Sequence, residues 1–309
     1  MKIGLMVAPP GHSGDLGTVV EQIERAEADR FDAVWAPNAR AFDALTLLAV
    51  AGRQTRRIEL GTFVVPTYPR HPAALAQQAL TVQAACGNRL TLGIGLSHRS
   101  TIEVGLGLDW SHPIRHTREY LTCLSQLMSG EPASFAGQEY RLDGFQLSVP
   151  GSTPPPILVA ALGPQMLRLT GRLADGTAVW MGGPRYLSEY ATPIMTDAAR
   201  LAGRPAPRIL AGLPVCVTDH AQEVRERAAR SFERYGQLPS YRAVLDREGV
   251  TGPADVSIIG DEGQVLAAFE ALEAAGATDL AASVYAPRGE DPSRTYRLLQ
   301  TLTQAGVAS

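Results

Sequence analysis

Short, nearly continuous apolar runs alternate along this chain with longer stretches whose apolar positions recur at helical spacing. The clearest unit spans Arg57 to His98. Ile58–Val65 is an apolar β-type run that ends in a Pro-rich loop reaching Pro72. Ala73–Ala85 is rich in Ala, Leu and Gln with no breaker, and Leu90–Leu96 is a second apolar run that stops at Ser97-His98. Continuous apolar runs flanked by helix predict strands buried on both faces of a parallel sheet. The same pattern predicts strands over Lys2–Val7, Phe31–Ala36, Ile157–Leu162, Gly176–Met181, Arg208–Val217 and Asp279–Tyr285. Helices are expected behind an Asp15 cap to Asp29, over Phe42–Arg53, as a turn near Thr101–Gly105, and over Pro113–Met128. Further helices are expected from Gly163-Pro164 to Ala174, and over Tyr186–Ala202, Ala221–Tyr235, Ser240–Glu248, Glu262–Ala275 and Pro292–Ala305. Residues 130–156 interrupt the alternation with short β-like runs broken by Gly, which predicts a small hairpin insertion after the fourth strand–helix unit. Eight strands alternating with helices over 309 residues, without repeats, predict a single (β/α)8 TIM-barrel domain over 1–309.

Composition narrows the class of partner. A formal net charge of −3 leaves no basic surplus for nucleic acid or an anionic membrane. The three cysteines, Cys86, Cys123 and Cys216, are far apart and form no C-x-x-C pair, so they read as thiols in a reducing compartment. The chain opens directly into a strand with no signal-peptide pattern, and no apolar run reaches membrane-spanning length. A soluble, cytoplasmic protein acting on a small molecule is the expectation.

In parallel barrels the chemistry sits at the carboxyl ends of the strands. His12, Asn38, Tyr68 and His98 each follow a strand end, so they converge on one rim, although any one of them taken alone is more often structural or solvent-exposed than catalytic. Gly163-Pro164 and Gly182-Gly183-Pro184 each join a strand to a helix. The free N–H groups of such helix starts form a generic seat for phosphate or carboxylate, and the competing reading is a plain loop-to-helix junction. Gly93-Ile-Gly95 resembles a dinucleotide fingerprint only superficially: its glycines lie inside the strand and position six is His98. His112 and His116 are four apart, but Pro113 lies between them and no third ligand accompanies them, so no metal is expected. No G-x-S-x-G elbow is present, and no carboxylate pair is placed for glycosidase work.

Together, Asp32-Ala-Val-Trp35, Ile58-Glu-Leu-Gly-Thr62, Pro72-Ala-Ala-Leu-Ala-Gln77, Asn88–Gly95, Ala160–Leu167 and Gly171–Gly176 resemble the luciferase-like monooxygenase superfamily. Within it, the chain is most similar to the branch that uses the deazaflavin coenzyme F420. The resemblance implies a barrel whose cofactor ring rests on a bulge after the third strand, held by a non-proline cis peptide that falls at Phe63–Val64. Asn38, Thr62, Phe63, Val64, Gly95 and Ser97 would then line the ring. Ala160, Ala161, Leu162, Gly163 and Pro164 would hold the linker and phosphate, with Gly182 and Gly183 beside them. A homodimer is implied as well.

Two positions depart from the sugar-phosphate dehydrogenases of that branch. They carry an Asp-His pair where this chain has Asn38-Ala39, and a Glu where it has Leu96. A glucose-6-phosphate-type dehydrogenase is therefore not expected, and the proton must come from elsewhere. His98 is the first candidate, with His12 and Tyr68 behind it. The expected activity is an F420-dependent oxidoreductase, working as a reductase that delivers hydride to a C=C, C=N or C=O bond. An FMN-dependent two-component monooxygenase and a non-catalytic flavin- or deazaflavin-binding protein stay open beside it. The segments expected to line the substrate pocket, 8–14, 99–112 and 130–156, carry no recognition motif.

Overall fold

The computed structural model of the protein describes residues 1–9, 14–287 and 290–305. Its strands are β1 (Lys2–Met6), β2 (Ala33–Ala36), β3 (Glu59–Thr62), β4 (Val65–Pro66), β5 (Leu90–Gly95) and β6 (Ala133–Ala136). They continue as β7 (Arg141–Phe145), β8 (Ile157–Val159), β9 (Gly176–Trp180), β10 (Arg208–Val217), β11 (Ile258–Gly260) and β12 (Asp279–Val284). Eight of them close a parallel barrel in the order β1-β2-β3-β5-β8-β9-β10-β12 and back to β1. The helices that follow the strands cover it, which is why these strands read as apolar on both faces. This is the expected TIM barrel. The expected hairpin is antiparallel β6–β7, packed on helix Pro113–Met128.

Two features were not legible. β11 is a three-residue strand that extends the sheet beside the end of β10, where Val215 registers with Ile258. The helix expected from Tyr186 begins at Pro184 and passes through a π-helical turn at Leu187–Ala191 before continuing to Leu201.

The barrel interior is layered. At the amino end, the Arg208 guanidinium lies 2.8 Å from Glu59 and 2.5 Å from Asp279, while Thr91 donates to Glu59 at 2.7 Å. Above this ionic plug, Trp35 fills the centre. A Cβ on Gly61 would stand 2.1 Å from the Trp35 ring and one on Gly4 would stand 2.6 Å from its Nε1, so both strands must carry glycine there. Ala33, Leu158, Ala178, Leu210 and Ala281 complete this layer, with Phe63 and Val64 packed against it. A plugged interior confines ligands to the open carboxyl end.

Candidate active site

The third strand stops at Thr62 and resumes at Val65, and the Phe63–Val64 peptide between them is cis. Thr62 secures the break. Its hydroxyl donates to Gly93 O at 2.7 Å and accepts from Gly93 N at 2.8 Å, so it ties β3 to β5 and is buried. A Cβ on Gly93 would lie 2.0 Å from Thr62 O. One on Gly95 would lie 2.7 Å from Val64 Cγ2 and 3.0 Å from Ala160 Cβ. The glycines that mimic a nucleotide fingerprint are therefore close-approach positions. They let Phe63, Val64, Gly95 and Ala160 close into one ledge. Phe63 N donates to Ala36 O at 2.8 Å, Ala160 N donates to Ile94 O at 2.8 Å, and Gly212 leaves room for the Phe63 ring.

The other expected ring-lining residues have distinct tasks. Asn38 caps the turn into helix Ala44–Gln54, its Oδ1 accepting from Ala44 N at 3.0 Å. Ser97 adopts φ 64°, which turns the chain sharply as it leaves β5. Ala161 is wholly buried, whereas Ala160 and Leu162 are half-buried and Gly163 is exposed, so of these the accessible surface lies on Ala160, Leu162 and Gly163.

The two helix starts differ. At Gly163-Pro164 no side chain caps the helix, and the space around the Gly163 Cα is open. Among the described residues, the N–H groups of Gln165 and Met166 have no partner, so an anion could be received there. At Gly182-Gly183-Pro184 the helix-start N–H groups are engaged from within the chain. The Glu248 carboxylate accepts from Arg185 N at 3.2 Å and Tyr186 N at 2.6 Å, and a Cβ on Gly183 would strike it at 2.3 Å. Gly182 makes room for Val179 and Tyr186. Tyr186 in turn donates its hydroxyl to Leu162 O at 2.8 Å, fastening the open loop to the occupied one. Glu248 ends a helix more than sixty residues downstream, so no local pattern announced it.

His98 stands among aromatic edges: Tyr241 at 5.9 Å and Tyr235 at 6.3 Å between ring centroids, with Trp180 6.2 Å beyond Tyr235. Trp180 in turn meets Phe63 of the ledge at 6.1 Å. Burial first, then the positive charge of Arg234, hold His98 below the usual imidazole range, so it is neutral at pH 7. Its ring makes no hydrogen bond to the described residues. Trp180, Tyr235 and Tyr241 were missed from sequence; the only available signal was an aromatic residue at the end of the sixth predicted strand.

Tyr68 belongs to a separate, closed cluster. Its ring is sandwiched between His116 at 4.0 Å and Trp110 at 4.9 Å, and its hydroxyl is buried without a partner. Burial pushes this phenol up to about 12, with Glu139, Asp109 and Glu103 adding to the shift. Both ring nitrogens of His116 are engaged, by Thr67 Oγ1 at 2.9 Å and by Tyr140 OH at 3.2 Å. Burial pushes His116 down to about 4 against the opposing pull of Glu139 and Glu119. His116 thus pins the β4 segment to the Pro113 helix and the hairpin. His12 lies outside the described residues.

A parallel barrel with a broken third strand, a glycine-built ledge and an open helix start two strands away is a TIM barrel whose candidate site is its carboxyl-end mouth. The chain belongs to the luciferase-like monooxygenase family, which it matches over residues 1–279. Among its relatives, a putative coenzyme F420-dependent oxidoreductase of Mycobacterium tuberculosis is 30% identical over 274 residues, covering 83% of this chain and 76% of the relative. The coenzyme F420-dependent tetrahydromethanopterin reductase of Methanopyrus kandleri shares the fold with a TM-score of 0.81 at 20% identity, covering 98% of this chain and 97% of that one. The oxygenating constituent of 3,6-diketocamphane monooxygenase of Pseudomonas putida, solved with FMN, aligns with a TM-score of 0.76 at 19% identity, covering 98% and 97%. Among the described residues, no helix is long and apolar enough to cross a membrane.

Proposed function

We propose that the barrel mouth binds reduced coenzyme F420 and that the chain is a reductase acting on a C=C, C=N or C=O bond of a small molecule. The ledge carries this reading: Phe63, Val64, Gly95 and Ala160 close on one another where a flat ring would rest, and the uncapped helix start at Gly163 follows β8, two strands from the break. Asn38, Thr62 and Ser97 would frame that ring, and the backbone of Ala160–Pro164 would take the linker and phosphate. When bound, the deazaflavin supplies the hydride. The chain holds the two reactants in register, keeps water out and meets the charge that develops on the acceptor. His98 serves that last task as a neutral imidazole, offering an N–H to the acceptor atom as negative charge builds there. Tyr68, enclosed by two rings, acts through packing.

Titration of the protein with reduced F420, followed by deazaflavin fluorescence or calorimetry, tests the reading, and absence of binding would abandon it. His98→Ala is expected to lower kcat by about 100-fold with cofactor affinity retained. Because burial and Arg234 hold the imidazole below its ordinary range, the wild-type rate should stay level from neutral to mildly alkaline pH.

The FMN-bound neighbour supports a second reading, a monooxygenase supplied with reduced FMN. Absorption spectra of the protein with F420 and with FMN separate the two. A homodimer is proposed from the family resemblance, and light scattering measures it.

A further inference from the structure

The aromatic groups around His98 form a wall with unused ring surface. Trp180 meets Phe232 at 6.4 Å and 76° and Tyr235 at 6.2 Å and 62°; Tyr235 meets Tyr241 at 5.0 Å and 67°. Phe232 meets Tyr285 at 5.3 Å and 50°. None of these pairs is stacked face to face, in contrast to Tyr68, whose two neighbours lie at 10° and 23°. An edge contact covers a face of only one ring of the pair, so it leaves more ring face open to another planar group than stacking does. Each of these six residues is partly exposed, while Trp35, Tyr120, Tyr186 and Phe31 elsewhere in the chain are completely enclosed. A contiguous, incompletely covered aromatic surface, joined to the ledge through the Phe63–Trp180 contact, offers planar area to a ligand held beside the ledge.

The polar groups of the wall are few. The Tyr285 hydroxyl is paired with Ser231 at 3.0 Å. The Tyr241 hydroxyl and the His98 ring make no hydrogen bond to the described residues. With the Trp180 Nε1, buried without a partner, and the Tyr235 hydroxyl, these are all the polar groups of the six rings, and a polyhydroxylated substrate would lose more hydrogen bonds to water than they return. The charged group that bears on His98 is Arg234, which disfavours a cation.

We infer that this wall takes a flat, conjugated ring compound, neutral or anionic, laid against Trp180 with its polar substituent directed to His98 and Tyr241. The inference rests on reading the mouth as the hydride-transfer site, and it identifies the class of acceptor. It is tested by calorimetry with naphthalene-2-carboxylate and its saturated, puckered counterpart decahydronaphthalene-2-carboxylate, with and without saturating F420. The flat ligand is expected to bind about tenfold tighter. Trp180→Leu and, independently, Tyr241→Leu should abolish most of that ratio while affinity for the saturated ligand is unchanged. Thermal melting checks that each variant is folded. Equal affinity for the two ligands, or a ratio untouched in both variants, overturns the inference. So does displacement of naphthalene-2-carboxylate by F420, which would assign the wall to the cofactor. Selective binding of the flat ligand by a protein that ignores F420 keeps the wall and removes the cofactor reading, so the two failures are distinguishable.

Discussion

His116 makes a quantitative test of how the mouth is braced. Its imidazole is buried, its two nitrogens are bound to Thr67 and Tyr140, and burial holds it at about 4 instead of 6.5. In the unfolded chain the ring protonates below its usual value, while the folded ring stays neutral until the pH nears 4. The unfolded state therefore binds the extra proton, and stability falls as pH drops through this window. The brace is fully effective above pH 6.5 and is lost progressively on acidification. Between about pH 7.5 and about pH 5 the two titration curves differ by about 2 kcal/mol. Replacement by a non-titrating residue, His116→Gln, removes this dependence whatever it costs at neutral pH. Urea unfolding of both proteins across that range should show their stability gap narrowing by about 2 kcal/mol toward acid. Glu119 and Glu139 oppose the shift but remain in both proteins, so the comparison cancels their own titration. Parallel pH curves would refute the argument, because they would mean that the folded ring takes up its proton as readily as the unfolded one.

Other consequences follow from the same contacts. Gly93→Ala drives a methyl into the Thr62 carbonyl and should cost about 3 kcal/mol, whereas Gly95→Ala meets the side chains of Val64 and Ala160 at longer range and should cost about 1 kcal/mol; thermal melting ranks them. Glu248→Ala uncovers the backbone N–H groups of Arg185 and Tyr186, and a loss of about 2 kcal/mol with faster hydrogen exchange at those amides is expected. Arg208→Ala strands Glu59 and Asp279 at the barrel floor and should cost about 3 kcal/mol in denaturant unfolding, far from any effect on ligand affinity.

The order of elements was legible because each carries its own signal. Apolar runs mark doubly buried strands, Asp15 and Asp261 cap the helices behind them, and Pro113, Pro164 and Pro292 open others. Alternation of strand and helix then leaves few topologies, and the barrel follows. The kink at Phe63–Val64 was accessible only through family resemblance, since nothing in the residues themselves demands it.

What the chain's own pattern could not express is contact between distant segments. Gly182-Gly183 and Gly163-Pro164 are alike as sequence, yet Glu248 fills one helix start and leaves the other open. Tyr68 and His98 both follow strand ends, yet one is sealed between two rings and the other keeps a free imidazole. Local residues set secondary structure through backbone preference and burial periodicity, which act over a few positions. Whether an amide, a hydroxyl or a ring face remains available depends on what the folded chain brings against it from elsewhere, and only tertiary packing decides that.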